Sequence, residues 1–482
     1  MHAVVCVDVG STYTKAAAVD VESGDLLATA SHATTIATDV MVGVSAVLAE
    51  LAAGLAGVDL SEVVGCSSAG GGLRLAVIGY ERAVTAEAGY RVGLSAGAKV
   101  VHVGAGPLDP PALGALVADR PDVVLLVGGT DGGNAHVLLH NARALAEHAR
   151  PAARRAASGA GRPATAGSIP VVVAGNVDAR DEAVAVLTAA GCRVLAVDNV
   201  LPRIGVLDPM PARAAIREVF ISHVIGGKHL SASPAFNAMI RAATPDAVLA
   251  GVELLADGHG DVEGAGDVLV VDVGGATTDV YSVVTPDPQE AEVRREVVQV
   301  MWRGRTVEGD LGVRWGAPGV VDAALAENLV DESEAAALRG PAAARLADPD
   351  LLPGDREGRA VDARLAELAV TVALRRHARP QESGLVRRPG KDLRQVRLIV
   401  GSGGVLRYAD PPALRQILSS ATNDLAGGWK LPEKAALSVD GRYVLAAAGL
   451  LGGRYPQAAA RLATGALVRL AVGPAAGPAS SA

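Results

Sequence analysis

The chain has 482 residues, a formal net charge of -8, and 50% hydrophobic against 20% charged residues. Its length predicts two or three soluble globular domains. With an aromatic content of only 2%, the negative charge argues against nucleic-acid binding, which needs a basic face and stacking side chains. No apolar run reaches the roughly 20 residues that cross a bilayer as a helix, and the N-terminus lacks the pattern of a secretory signal. We therefore expect a cytoplasmic protein without nucleic-acid or membrane partners.

The first predicted element is a β-hairpin with glycine in its turn. Residues 4–15 read Val-Val-Cys-Val-Asp-Val-Gly-Ser-Thr-Tyr-Thr-Lys, which predicts a strand, a tight turn and a second strand. Such a turn suits phosphate, because glycine admits close approach, turn N–H groups converge on an anion, and Ser and Thr add hydroxyl donors. Asp8, at the end of the first strand, can hold Mg²⁺ through water. Taken alone, a hairpin of this kind is more often an ordinary turn.

Strand and helix patterns alternate from about residue 100 to 205 and predict an inserted α/β subdomain. A strand of buried type at 123–127 runs into segment 128–134, Gly-Gly-Thr-Asp-Gly-Gly-Asn, and further strand–turn units lie at 171–176 and 193–199. This subdomain is open to two interpretations, a surface that binds a partner or a purely architectural unit.

A second hairpin repeats the pattern of the first. Residues 268–279 read Val-Leu-Val-Val-Asp-Val-Gly-Gly-Ala-Thr-Thr-Asp and continue as an apolar strand, so Asp272 is the second candidate carboxylate for a metal. Two hairpins with one pattern carry more weight than either alone. In the following segment 305–312, Glu308 and Asp310 are candidates for contact with a ribose or a metal-bound water, or for the cap of a helix.

The last informative elements are helices and a glycine-rich turn. Segment 331–377 is rich in Ala, Leu, Glu and Arg and predicts helices. Residues 396–405, Val-Arg-Leu-Ile-Val-Gly-Ser-Gly-Gly-Val, predict a strand that enters a turn on which a planar base or a ribose can lie against bare backbone. By itself this segment could be any strand-to-helix turn.

In this order, two phosphate hairpins and a nucleoside turn resemble the motifs of the actin-like ATPase superfamily, which includes sugar kinases and heat-shock chaperone ATPases. Segments 8–15, 127–134, 272–279 and 305–312 together resemble the MutL/GlmL family, accessory proteins of adenosylcobalamin-dependent glutamate (methylaspartate) mutase. This MutL is unrelated to the mismatch-repair protein of the same name. The resemblance implies an α/β, two-lobed actin-like (ribonuclease H-like) fold, ATP and Mg²⁺ as cofactors, and an adenosylcobalamin-dependent mutase as protein partner.

The function that the resemblance implies is a reactivating chaperone. Radical mutases occasionally lose their adenosyl group and retain damaged cobalamin, and proteins of this type are thought to exchange it by ATP-driven domain movement. A nucleotide between two lobes can drive such movement only through its different affinity for the open and closed states.

The resemblance also implies roles for individual residues. Asp8 and Asp272 would hold the metal, and Asp8, Asp272 and Asp279 would act in catalysis. Lys15 is equally well interpreted as a solvated surface lysine. Ala276 departs from the chaperone ATPases, which have a third glycine there, and its methyl group puts the closeness of the second turn's approach in doubt. The residues implied to bind nucleotide are Gly10, Ser11, Thr12, Lys15, Gly274, Gly275, Thr277, Thr278, Gly401, Gly403 and Gly404.

The predicted organisation has three parts. A first lobe spans 1–250 and contains the first hairpin and the inserted subdomain, a second lobe spans 251–453, and 454–482 is the end of a C-terminal helix followed by a disordered tail. The glycine-rich stretch 257–266 predicts a flexible linker between the lobes.

Other functions remain compatible with the sequence. A small-molecule kinase of the same fold would need a carboxylate as general base, for which Asp131 or Asp178 could serve. An activator of radical dehydratases would need cysteines that ligate a cluster, and Cys6, Cys66 and Cys192 are poorly placed for this and are typical of buried small residues. A module that binds ATP without hydrolysing it is a further alternative.

Overall fold

The computed structural model describes residues 1–69, 73–96, 98–157, 169–225, 230–285, 303–383, 386–388, 390–420, 422, 424 and 428–470. The strands are β1 His2–Val9, β2 Tyr13–Asp20, β3 Leu26–Ala33, β4 Asp59–Ser67, β5 Arg74–Gly79, β6 Lys99–Ala105, β7 Val123–Leu126, β8 Val171–Val173, β9 Val194–Ala196, β10 Ile240–Ala243, β11 Gly258–His259, β12 Val262–Glu263, β13 Val268–Val273, β14 Thr278–Val283, β15 Arg303–Glu308, β16 Gln381–Ser383, β17 Val386–Arg388, β18 Leu398–Ser402, β19 Ala436–Val439 and β20 Val468–Arg469. The α-helices are α1 Val40–Gly54, α2 Glu87–Ser95, α3 Pro110–Ala118, α4 His136–Ala157, α5 Val177–Ala189, α6 Met210–Val219, α7 Pro234–Met239, α8 Thr244–Asp257, α9 Ala317–Ala326, α10 Glu332–Ala347, α11 Arg356–Ala378, α12 Gly404–Arg407, α13 Pro411–Ser420, α14 Val444–Leu451 and α15 Pro456–Gly465. Two π-helical turns lie at Arg82–Ala86 and Phe220–Ile225.

Two of the sheets share an arrangement of five strands, to which the second sheet adds the antiparallel edge strand β20. The first has the order β10-β4-β1-β2-β3, and the second has the order β15-β14-β13-β18-β19-β20. In each, a hairpin supplies two antiparallel strands, a third antiparallel strand follows on one side, and two parallel strands lie on the other side. This repeated arrangement confirms the predicted α/β, two-lobed actin-like fold.

The third large sheet is wholly parallel and belongs to the insertion. Its order is β6-β5-β7-β8-β9, with helices α2 to α5 between successive strands. Parallel strands need such crossover helices. The sheet begins at Arg74, well before residue 100, where the sequence placed the start of the subdomain. The difference arises because β5 is short and its apolar residues alone do not distinguish a central strand from a core segment of the first lobe.

Both lobes pack on one set of helices. Alternate residues of β1, Val4 and Cys6, and of β13, Val268 and Val270, contact the same buried cluster as α8, α14 and α15. The intervening residues face other clusters, which join β1 to the inserted sheet and β13 to α9, α10 and α11. The apolar runs of both strands are continuous because both faces of each sheet are buried.

The central helices α8 and α14 cross at a backbone-to-backbone contact. A Cβ atom added to Gly251 would lie 1.9 Å from the carbonyl oxygen of Leu445, and one added to Gly449 would lie 1.8 Å from that of Ala247. Real Cβ atoms do not approach a carbonyl so closely, so only glycine allows the two helices to touch in this way. The crossing lies between the two lobes.

Two expectations about the chain path change with the structure. Residues 258–263 form a tight hairpin rather than an open linker, and a Cβ on Gly258 would lie 2.0 Å from the carbonyl oxygen of Val262. The path from the first lobe to the second runs through α8. Beyond residue 453 the chain remains folded, because α15 packs into the central cluster and β20 pairs with β19. Residues 471–482, where the sequence predicts a disordered tail, lie outside the described residues.

The helices predicted at 331–377 are confirmed as α10 and α11. Asp331 caps the first, since its carboxylate accepts a hydrogen bond from the Glu334 amide. Such a cap satisfies one of the free N–H groups of the first turn.

The helix crossing predicts a large effect from a single methyl group. We expect Gly449→Ala to lower the free energy of unfolding by about 1–3 kcal/mol, because the helices must separate to admit the Cβ. Urea denaturation measures this change. Gly340→Ala is the control, since Gly340 also lies in a helix but a Cβ there meets nothing within 4 Å. Equal stability of the two variants would contradict the close crossing.

Candidate functional site

The two hairpin carboxylates face the same cleft. Asp8 continues the row of Val4 and Cys6 on β1, and Asp272 continues the row of Val268 and Val270 on β13, because side chains of a strand alternate between faces. Both rows face the central helices, so both carboxylates emerge where the shared core ends. They line one cleft of about 2140 Å³ between the lobes.

The turns of the two hairpins are equivalent. In the first, the Gly10 amide donates a hydrogen bond to the Tyr13 carbonyl at 3.1 Å, and in the second, the Gly274 amide donates to the Thr277 carbonyl at 2.9 Å. A Cβ on either glycine would lie within 3 Å of the same carbonyl oxygen. Both turns therefore require glycine, and both line the cleft.

The strand register places a different residue opposite each carboxylate. Lys15 pairs with Asp8 across the first hairpin, and Asp279 pairs with Asp272 across the second. Lys15 lies half-buried in the cleft, so it is not the solvated surface lysine that the sequence left open. Burial lowers the pKa of Lys15, but Asp8, Tyr443, Asp272 and Asp440 raise it more, and the ammonium stays charged.

Asp8 is held by two neighbours that the sequence did not indicate. The Thr244 hydroxyl donates a hydrogen bond to Asp8 Oδ1 at 2.6 Å, and Cys66 Sγ lies 3.5 Å from the same oxygen. Thr244 is the first residue of α8, and Cys66 lies beside Asp8 on β4. The other carboxylate oxygen is left for a ligand by these contacts.

Asp272 lies in a less favourable setting for a charge. Burial is the largest effect and raises its pKa to about 6, although Lys15 opposes the increase. Gly403 approaches it closely: its φ is +99°, and a Cβ there would lie 2.2 Å from the Val273 carbonyl oxygen and 2.9 Å from Asp272 Oδ1. The nucleoside turn and the second hairpin are thus in direct backbone contact.

Most of the predicted nucleotide residues line this cleft, and two do not. Thr278 is fully buried on the opposite face of β14, where its hydroxyl donates a hydrogen bond to the Leu311 carbonyl at 2.6 Å. Gly401 is a buried strand residue whose Cβ position faces Leu406 and Leu418. Both residues were predicted to bind nucleotide because they belong to the motifs, and a motif does not show on which face of a strand a residue lies. The residues that line the cleft are Gly10, Ser11, Thr12, Lys15, Gly274, Gly275, Thr277, Gly403 and Gly404.

Asp279 lines the cleft but is paired with a cation. Both Arg305 Nε, at 2.9 Å, and Arg305 Nη2, at 2.7 Å, donate to Asp279 Oδ1. The proposed catalytic role of Asp279 therefore concerns a carboxylate that already has an ion-pair partner, whereas the hydrogen bonds to Asp8 from the described residues come from the neutral side chains of Thr244 and Cys66.

Segment 308–314 braces the second turn. The amides of Val313 and Arg314 donate hydrogen bonds to the carbonyls of Gly274 and Gly275, at 3.0 and 2.8 Å. Glu308 and Asp310 neither reach the cleft as ligands nor cap a helix, because both pair with Arg376 of α11. These ion pairs depend on tertiary contact with α11, which a local motif cannot reveal. Ala276 is exposed in the turn, so its methyl group is accommodated there.

The donor set fits a magnesium ion shared with phosphates. Within the described ranges, no three His, Cys, Asp or Glu side chains converge in a way that could hold a metal by themselves. Mg²⁺ in nucleotide sites commonly uses one or two carboxylates together with water and phosphate oxygens. Asp8 and Asp272 are two carboxylates of that kind, beside turn amides and an ammonium group that suit a triphosphate.

The glycine-rich loop of the insertion lies elsewhere. Asp131 Oδ1 accepts hydrogen bonds from the Val177 amide at 3.2 Å and from Asn199 Nδ2 at 2.8 Å, and Asp178 Oδ2 accepts one from the Gly132 amide at 2.9 Å. These bonds tie together the loops after β7, β8 and β9. Neither carboxylate lines the interlobe cleft.

Fold and site together define an actin-like protein whose two lobes present equivalent glycine hairpins to one cleft. A family model described as MutL protein matches residues 4–467. The chain is 35% identical over 487 residues to Protein MutL of Clostridium tetanomorphum, which covers 98% of this chain and 100% of that protein. The chain therefore belongs to the MutL family.

Solved structures show more distant likenesses. The nucleotide-free diol dehydratase-reactivating factor aligns with 12% identity and a TM-score of 0.35 over 95% of this chain and 100% of its own. The activator of 2-hydroxyisocaproyl-CoA dehydratase from Clostridium difficile, with bound ADPNP, aligns with 9% identity and a TM-score of 0.32 over 95% of each chain. In the part of the chain that the structure describes, no helix combines the length and apolar character needed to span a membrane.

The raised pKa of Asp272 predicts a stability change with a definite sign. The group titrates near pH 6 in the folded chain against 3.8 ordinarily, so its ionised form destabilises the fold, and the cost grows as pH rises from 4 to above 6. Without nucleotide and Mg²⁺, we expect Asp272→Asn to be more stable than wild type at pH 7.5, by on the order of 2 kcal/mol, and equal to it near pH 4. Thermal unfolding across this pH range measures the difference.

Asp392→Asn is the control of opposite sign. Despite partial burial, hydrogen bonds from Arg394 and Lys430 lower the pKa of Asp392 to about 2, so its charge stabilises the fold and its removal should destabilise the protein at pH 7.5. An Asp272→Asn variant that is less stable than wild type at pH 7.5 would refute the assigned environment of Asp272.

Proposed function

We propose that the chain is an ATP-dependent reactivating protein for an adenosylcobalamin-dependent mutase of the glutamate (methylaspartate) mutase type. The observation that carries this proposal is the pair of equivalent glycine turns, one from each lobe, that line a single cleft with Asp8, Asp272 and Lys15. Membership of the MutL family supports the choice of client.

The residues of the cleft have distinct tasks in this proposal. The amides and hydroxyls of residues 10–12 and 274–277 bind phosphate oxygens, Lys15 adds a positive charge, and Asp8 and Asp272 hold Mg²⁺. The backbone at Gly403 and Gly404 receives the nucleoside. MgATP held by these residues would supply a terminal phosphate that can be transferred to water.

Lobe movement follows from where these groups are attached. Asp8 is hydrogen-bonded to Thr244, the first residue of α8, so a change at the first hairpin reaches the helix that crosses α14. A ligand that binds both hairpins favours the closed arrangement by its differential affinity for that state. We propose that closing and reopening are transmitted to the client and exchange its damaged cobalamin.

The two carboxylates that the kinase alternative would use as a general base do not line the cleft. Asp131 and Asp178 hold loops of the inserted subdomain together and lie away from the interlobe cleft. A carboxylate must come within hydrogen-bond reach of the acceptor hydroxyl to act as a general base. The cysteines that an activator would need are buried, Cys6 and Cys66 in one cluster at the first sheet and Cys192 in the inserted subdomain.

A reactivation assay tests the proposal. A glutamate or related mutase is inactivated with cyanocobalamin and incubated with the purified chain, Mg²⁺, ATP and fresh adenosylcobalamin, and recovered mutase activity is measured. We expect recovery with ATP and none without nucleotide. The Asp8→Ala and Asp272→Ala variants should lose recovery, because the metal loses a ligand.

Asp322→Ala is the matched control, since Asp322 is an exposed carboxylate of α9 outside the cleft and its loss should leave recovery unchanged. Failure with every cobalamin mutase tried would contradict the proposed client. A panel of small hydroxyl acceptors distinguishes the rival, since a kinase would consume ATP faster with one of them and would ignore the mutase.

A further inference from the structure

Tyr443 has an unusual backbone conformation at the edge of the cleft. Its φ is +56° and its ψ is 41°, in the left-handed region, immediately before α14. A bulky non-glycine residue is an outlier there, and such strain persists only where the surroundings hold it. The side chain lines the cleft together with both hairpins. Glycine would adopt this conformation without strain, so the presence of a tyrosine here points to a role for its ring.

The ring of Tyr443 contacts cations from both lobes. Lys15 Nζ of the first hairpin lies 3.6 Å from the ring centroid, and Arg407 Cζ, at the end of α12 just after the nucleoside turn, lies 4.8 Å from it. Over the described ranges, Lys15 has no carboxylate at salt-bridge distance, so the ring is its close partner. One aromatic side chain therefore connects the first hairpin, the nucleoside turn and the crossing helix.

An aromatic ring affects the Lys15 ammonium differently from a carboxylate. A carboxylate would neutralise the Lys15 ammonium and occupy its N–H donors, whereas an aromatic face attracts the cation without accepting a full hydrogen bond or cancelling its charge. The ammonium is thus fixed in direction but keeps its charge for an anion. The Asp440 carboxylate accepts hydrogen bonds from the amides of Val444 and Leu445 at the start of α14, and it acts on Lys15 through its charge.

We propose that Tyr443 is a positioning residue that aims Lys15 at the triphosphate and so sets the preference of the cleft for a nucleotide with a full phosphate chain. This inference rests on the proposed binding of ATP between the lobes. Tyr443 acts through Lys15 and need not touch the phosphates.

The test compares two changes at one position. Tyr443→Gly keeps the left-handed turn and removes the ring. Glycine adopts this backbone conformation without strain, so any loss of thermal stability should come from the lost packing of the ring alone. Tyr443→Phe keeps the ring. Titration calorimetry with MgATP and with adenosine measures binding to wild type and both variants. We expect Tyr443→Gly to weaken MgATP binding about tenfold with adenosine unchanged, and Tyr443→Phe to stay within about twofold for both.

Two further variants separate the assigned role from general packing. Tyr455→Leu removes a tyrosine that stacks on Arg454 outside the cleft and should leave both affinities unchanged. In a Lys15→Met background, adding Tyr443→Gly should cause no further loss of MgATP affinity, because the ring acts through Lys15.

Several outcomes would refute the inference or the proposed function on which it rests. Equal MgATP affinity in Tyr443→Gly and wild type refutes the inference, and so does an equal loss for adenosine and MgATP, which indicates only that the cleft has changed shape. A loss in Tyr443→Phe as large as in Tyr443→Gly refutes the role of the ring and assigns it to the hydroxyl. Wild-type protein that binds neither ligand refutes the proposed function together with this inference.

Discussion

The close crossing of α8 and α14 is the constraint on which the arrangement of the molecule depends. Gly251 and Gly449 each leave room for a carbonyl of the other helix, so the helices meet without side chains between them. Both sheets pack on this pair of helices. The distance between the two helices is thereby fixed by backbone contact.

The positions of the two hairpin carboxylates in the cleft follow from this crossing. Two strands that bury the same alternate face against common helices must direct the next residue of that row, Asp8 in one lobe and Asp272 in the other, toward one gap. Burial is the main reason that the pKa of Asp272 is raised, and the charges of Asp279, Asp440 and Asp8 add to it, so an ionised Asp272 conflicts with its surroundings. A cation relieves the conflict, whether Lys15 or a metal. The site is electrostatically suited to a ligand that brings both phosphates and Mg²⁺.

The features that lie within one short segment of the chain could be predicted from the sequence. Each hairpin has its strand, carboxylate, glycine and hydroxyls within one short segment, so fold and family could be inferred from motifs and their order. The face on which a residue lies is a tertiary property, which is why Thr278 was grouped with Thr277 although it points into the core. Thr244 and Tyr443 lie far along the chain from the hairpin they contact, and only the helix crossing brings them there. The start of the inserted sheet at Arg74 was missed because a six-residue apolar strand has no distinctive pattern.

The central claim is that both hairpins grip one triphosphate, and a crystal structure of the chain with Mg²⁺ and a non-hydrolysable ATP analogue tests it most directly. The account predicts phosphate oxygens within hydrogen-bond distance of amides in both turns, at residues 10–12 and 274–277, with the metal near Asp8 and Asp272. A nucleotide that contacts one turn alone, or that lies outside the interlobe cleft, would contradict it.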